Sequence, residues 1–449
     1  MKPETHLFEK ATRSMNAYTM TPSRSELALL GGKPVGKVDY PPFPNFTKRA
    51  KDRVVQLLDA GKTIGLNRAI PEIKEAEKAI SRYHGGLHCL GTSSGHGALQ
   101  MALAGLEIGP GDEVITTPYT WGASISCILH QGAIPVFADV DRKTGLIDPK
   151  TVEPLISKKT RAILAVHLYG QPANVSKLRA IADRHGLYLI EDGSQAHGAK
   201  WAGRRVGSFG DASGFSCMGG KLLATTEAGY LVTPREDVYW KACLLCQHMG
   251  RQSDPGFPDE LRPYVDSLVY TYRLHPLNAV LLAEQLKKLD RENAAREANY
   301  HLLKEYLADA PYLSFPKYPK SSEPVFHLVT MNFDRKRAGI SRDTYAKALQ
   351  AEGWHAFAYI PAPITDWKRL QWKGYKGPRI LWMDNLERHG YDPSLYEVPN
   401  CRWKVDHSLE TAFNYVRPAK KMMQRIAEIV QKVDASIDSL RRWEADQTS

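Results

Sequence analysis

Between residues 85 and 235 the chain alternates two hydrophobic rhythms. Short, nearly continuous apolar runs read as strands: "HCLGTSS", "DEVITTP", "IPVFADVD", "RAILAVHLYG", "LYLIEDGS", "ASGFSCM" and "GYLVT". Between several of them lie stretches with apolar residues at helical spacing, such as "GHGALQMALAGL", "YTWGASISCILHQG" and "NVSKLRAIADRHG". Strands that lack polar alternation are buried on both faces. The pattern therefore predicts a mainly parallel sheet flanked by helices, an α/β fold. "GPGDE" and "DRHGL" supply turn and helix-stop signals between the units.

Beyond residue 270 the rhythm changes. "HPLNAVLLAEQLKKLDRENAAREANYHLLKEYLADA" predicts one long helix or two joined ones, with Leu282, Gln285, Leu286 and Leu289 on one face. "HLVTMNF" reads as a strand, "SRDTYAKALQAEG" as a helix and "AKKMMQRIAEIVQKVDASIDSLRRW" as a closing helix. The expected organisation is an N-terminal tail or arm (1–25), a larger domain (26–285) and a smaller C-terminal α+β domain (286–449). Residues 354–415 read as irregular and hold five of the nine tryptophans, a composition that suits packing, an interface or a substrate mouth.

Composition narrows the picture. No run of about 18 apolar residues predicts a membrane span. The first 25 residues lack the apolar core of a secretory signal, and the six cysteines form no disulfide framework, so the expected location is the cytoplasm. Cys243 and Cys246 form a C-x-x-C pair in a predicted helix, Trp240 to His248, without two further ligands at comparable spacing; no metal site is expected. The net charge of +11 is scattered rather than blocked, which fits a phosphate-bearing ligand and argues against a nucleic-acid partner.

Candidate chemistry gathers at the ends of the predicted strands. Lys221 follows a strand and a Gly-Gly turn; a lysine held in a partly desolvated pocket loses proton affinity and becomes a nucleophile for an aldehyde. Asp192 ends "LYLIED", and the carboxyl ends of parallel strands face the ligand crevice, where a carboxylate can pair with a cation such as a protonated pyridine nitrogen. "GTSSGHGAL" joins a strand to a helix through small residues that let backbone N–H groups approach a phosphate. Ser216 can offer its hydroxyl to the same phosphate, and Trp121 in "TPYTWGAS" can stack on a flat heteroaromatic ring.

Taken together, "GTSSGHGAL", "TPYTWGAS", "EDGSQAHGA", "FSCMGGK" and the acidic-glycine segment "TEAG" resemble the DegT/StrS-type sugar aminotransferases, pyridoxal-phosphate enzymes of fold type I. "LALLGGKPV", "HLYGQPANVSKLRAIA" and "YRLHPLNAVLLAEQLKKLDRENAAR" extend the resemblance over roughly residues 26 to 290. It implies that Lys221 is the Schiff-base lysine and Asp192 the partner of the pyridine nitrogen. Gln195 then lies near the cofactor's phenolic oxygen, Trp121 stacks on its ring, and Gly95, His96 and Ser216 hold its phosphate. Arg273 would reach the active site of a neighbouring subunit, so a homodimer with shared sites is implied. The implied reaction moves an amino group from glutamate or glutamine, through a pyridoxamine form, to a ketone of a sugar or cyclitol. The alternatives are a keto-sugar dehydratase or lyase, whose relatives carry histidine at the lysine position, and a regulatory cofactor-binding protein without turnover.

Three positions depart from the family pattern. His96 replaces the threonine of S-G-T-x-A-L, Thr271 replaces an asparagine two residues before the arginine, and "TEAG" replaces G-E-G-G. The first two remove groups expected to contact the phosphate. The third places a methyl, Ala228, in the pocket wall.

Overall fold

The computed structural model of the chain describes residues 26–63, 70–246, 251 and 254–448. The expected tail, 1–25, and His248 at the end of the predicted cysteine-bearing helix lie outside the described residues.

Each of the apolar runs becomes a strand of one seven-stranded sheet. The first five are β1 (His88–Thr92), β2 (Glu113–Thr116), β3 (Ile134–Phe137), β4 (Thr160–Val166) and β5 (Tyr188–Asp192). Ala212–Ser216 and Gly229–Thr233 complete it. Across the sheet the order is β1, Gly229–Thr233, Ala212–Ser216, β5, β4, β2, β3. The last five are mutually parallel, whereas Gly229–Thr233 runs antiparallel to both its neighbours. β1 consequently points the same way as the parallel five. One edge of the sheet collects the carboxyl ends of β1, β4, β5 and Ala212–Ser216, together with the start of Gly229–Thr233.

The helix Gly95–Gly105 begins where β1 ends. Ser94 caps it, its Oγ accepting from the Gly97 N–H at 3.1 Å. Leu99, Met101, Ala102 and Leu103 are buried, so this helix is apolar on nearly all sides and sits inside the sheet layer's main core. Cys243 and Cys246 are fully buried on the helix Glu236–Cys246 and pack in the same core.

A second core forms around a three-stranded antiparallel sheet of Leu313–Ser314, Leu328–Phe333 and Ser408–Ala412. The helices Arg342–Glu352 and Lys420–Ala435 cover it. The segment 27–40, grouped by sequence with the larger unit, packs here: Leu27 and Val38 belong to this C-terminal core. Glu352, wholly buried, accepts from the Ala28 N–H (2.8 Å) and the Val35 N–H (2.9 Å) and pairs with Lys432 at 2.9 Å.

The helical stretch after His275 is two helices, Pro276–Leu286 and Leu289–Tyr306. The closing stretch also divides, into Lys420–Ala435 and Ile437–Thr448. The region read as irregular, 354–415, contains the helix Pro399–His407 and the strand Ser408–Ala412. No helix among the described residues is long and apolar enough to cross a membrane.

Candidate active site

The collecting edge of the sheet opens into a cavity of about 530 Å³. Gly95, His96, Trp121, Asp192, Gln195, Ser216 and Lys221 all line it, so seven of the eight sequence-predicted residues meet in one place. Arg273 is absent from the lining. In its own chain it makes an antiparallel bridge with Thr92, on the segment whose Tyr272 carbonyl accepts from the Ser93 N–H at 2.9 Å. A larger groove, about 930 Å³, lies between Asp39–Asn45 and Tyr415–Met422 and contains none of these residues.

Asp192 closes β5 and is almost fully buried. Ser124 Oγ donates to its Oδ2 at 2.6 Å, and the Ser194 N–H donates to Oδ1 at 3.1 Å. Those two donors hold the carboxylate in one orientation toward the cavity. Lys221 is 8% exposed, and its Nζ makes no hydrogen bond or ion pair among the described residues. Burial lowers its pKa, an effect opposed first by Asp192 and then by Glu227. A buried amine without a fixed partner is available for chemistry, and the carboxylate across the cavity keeps it from being stranded as an uncompensated charge.

The end of the cavity at the start of the helix Gly95–Gly105 is built by close backbone contact. A Cβ on Gly95 would fall 2.4 Å from Ser216 Cβ, so only glycine lets the helix start and Ser216 lie side by side. A Cβ on Gly229 would sit 2.3 Å from the Ser94 carbonyl oxygen. This explains how the departure at "TEAG" is tolerated: the glycine that the cradle requires is Gly229, while the Ala228 methyl is buried in a neighbouring apolar cluster with Cys217 and Tyr230. His96 lies against His130, ring centroids 4.9 Å apart and edge-on. Burial, then His130, lowers its pKa, and its Nε2 has no hydrogen-bond partner among the described residues. Trp121 is 57% exposed and leans on Tyr359 at 5.9 Å, so the expected stacking residue is held from one side only.

Several lining residues escaped the sequence reading. His167 ends the run after β4, the same strand-end signal that singled out Asp192. Its Nδ1 accepts from the Ala173 N–H (3.0 Å), which leaves Nε2–H to donate to the buried Glu191 (2.9 Å). Ser124 lies three residues after Trp121 in "TWGAS", a weak helix-start signal. Tyr359 and His327 come from the C-terminal unit, and nothing local marks them.

An unpaired amine, an oriented carboxylate opposite it and a glycine-serine cradle at a helix start form the donor set that pyridoxal phosphate needs, and these residues fit that group. Comparison with known proteins agrees. A L-glutamine:2-deoxy-scyllo-inosose aminotransferase of Streptoalloteichus tenebrarius is 33% identical over 84% of this chain and 89% of its own. A dTDP-3-amino-3,4,6-trideoxy-alpha-D-glucose transaminase of Streptomyces venezuelae is 35% identical over 69% and 77%. The solved aminotransferase from Psychrobacter cryohalolentis matches with a TM-score of 0.77 at 27% identity, covering 89% of this chain and all of that one. Residues 44–379 match the model of the DegT/DnrJ/EryC1/StrS aminotransferase family, and the chain belongs to that family of pyridoxal-phosphate-dependent aminotransferases.

Proposed function

We propose that this aminotransferase takes nitrogen from glutamine or glutamate and delivers it to a ketone on a sugar or cyclitol, as a cytoplasmic homodimer. The observation that carries the reading is the pairing of a free, buried Lys221 amine with an oriented Asp192 carboxylate across one cavity. The names of the relatives support the donor and acceptor classes. Bound pyridoxal phosphate supplies an aldehyde that takes up amines and a ring that withdraws electrons from the neighbouring carbon. Asp192, fixed by Ser124 and Ser194, holds a proton on the ring nitrogen. The Lys221 amine would carry a proton between the carbon of the donor and that of bound pyridoxal phosphate. Gln195 and Trp121 position the ring, and Gly95, His96 and Ser216 seat its phosphate. Arg273 serves the site of a second copy, so each site draws on two chains.

Borohydride reduction of the purified protein tests this. The visible band is lost and a mass gain appears at Lys221; labelling of another lysine, or of none, refutes the assignment. Glutamine supplied with a panel of keto-cyclitols and nucleotide-linked keto sugars then yields an aminated product from one class. Dehydration without nitrogen transfer would replace the aminotransferase reading with a lyase.

A further inference from the structure

Gln195 is held at both ends. Its Oε1 accepts from the Tyr169 N–H at 2.8 Å, and its Nε2 donates to the Tyr359 hydroxyl at 3.0 Å. The first contact commits the carbonyl end to the backbone. The second uses one of two Nε2 hydrogens, leaving the other for a group in the cavity that Gln195 and Tyr359 both line. Burial is the main cause of a Tyr359 pKa pushed up to about 12, so the hydroxyl stays neutral and accepts from the amide.

Tyr359 itself is fixed from the C-terminal unit. Its N–H donates to Glu410 Oε2 at 2.9 Å. Phe357 exchanges two backbone hydrogen bonds with Glu410, at 2.9 and 2.8 Å. Glu410 is wholly buried, and its Oε1 accepts from Thr330 Oγ1 at 2.8 Å and from Ser408. A rigid chain of contacts thus runs from the smaller sheet, through Glu410 and Tyr359, to the amide in the cavity.

We propose that Tyr359 is a positioning residue, through which the C-terminal unit aims the free N–H of Gln195 at the bound cofactor. The proposal rests on the reading that the cavity takes pyridoxal phosphate. Tyr359→Phe keeps the ring beside Trp121 and removes the acceptor. In the loaded enzyme the pH midpoint of the cofactor's visible band moves up by about half to one unit, because an N–H donor that favours negative charge on the cofactor is no longer held. kcat falls about three- to tenfold, the scale of one neutral hydrogen bond, while KM for glutamine stays within about twofold.

Gln195→Met shifts the midpoint the same way, and the double variant shifts it no further, since the two residues act as one unit. A midpoint unmoved in Tyr359→Phe, or shifts that add in the double variant, overturns the proposal. These failures differ from that of the underlying reading, in which the wild-type protein itself shows no visible band and both conclusions fall together.

Discussion

The carboxyl edge of the main sheet and the C-terminal unit contribute to the same cavity in opposite ways. At the sheet edge, Asp192 and Ser216 each end a strand of the main sheet and are held by groups on that same edge: Asp192 by Ser124 and Ser194, and Ser216 against Gly95. The C-terminal unit delivers Tyr359 through a clamp 51 residues away in sequence, Glu410. Its own foundation depends on Glu352, which ties residues 28 and 35 to Lys432. The contrast separates reactivity, which is set within one edge of the main sheet, from placement, which is set by buried polar groups of the C-terminal unit.

The strongest way to test that separation is Glu352→Ala. It strands Lys432 and two backbone N–H groups in the C-terminal core. The expected loss is about 3–5 kcal/mol of stability, the scale for a buried pair missing one partner. Denaturant unfolding monitored by tryptophan fluorescence reads it, and the cofactor's visible band persists below the transition. Asp192→Asn is the complementary change: turnover falls about a hundredfold, the scale of losing a key electrostatic stabiliser, with the unfolding midpoint nearly unchanged. If Asp192→Asn instead unfolds the protein while Glu352→Ala abolishes cofactor binding without loss of stability, the division fails.

Acid offers a third test, directed at the sheet. His84 is buried against Phe215 and Tyr230, and burial lowers its pKa from the usual 6.5 to about 4. Between those values the unfolded chain binds a proton that the folded one refuses, so stability is lost as pH falls through that window. The contribution is roughly 2 kcal/mol between about pH 7 and about pH 4.5. Unfolding curves at the two ends measure it, and His84→Gln flattens the slope; an unchanged slope would exclude His84 as its source.

The smallest effect concerns Thr271, which adopts φ 58°. A β-branched residue is strained in that left-handed region, whereas asparagine, the family's usual choice, adopts it readily. Thr271→Asn is expected to raise stability by about 1 kcal/mol, measured as an increase in Tm.

What the sequence made legible follows the same boundary. Apolar runs ending in Asp192, Ser216 and "GTSS" announced a parallel sheet and its reactive edge, because strand direction and burial are written within a few residues of each group. The division at Lys287–Lys288 between two helices left no helix-breaking residue to read. Tyr359 was invisible because the groups that hold it, Glu410, Gln195, Trp121 and Tyr169 among them, all lie far from it in sequence. Trp121 was found, yet its exposure depends on what covers it rather than on its own segment.

The Glu352 clasp also bears on the order of events during synthesis. Residues 27–40 are made long before their partners: the carboxylate that satisfies the Ala28 and Val35 N–H groups emerges more than three hundred residues later, and the Lys432 ammonium that bonds the Lys33 carbonyl at 2.6 Å later still. A contact of such sequence separation carries a large loop-closure cost and forms late. The nascent chain therefore carries residues 27–40 undocked while the main sheet assembles behind them, and helices made more than three hundred residues later fasten that segment down.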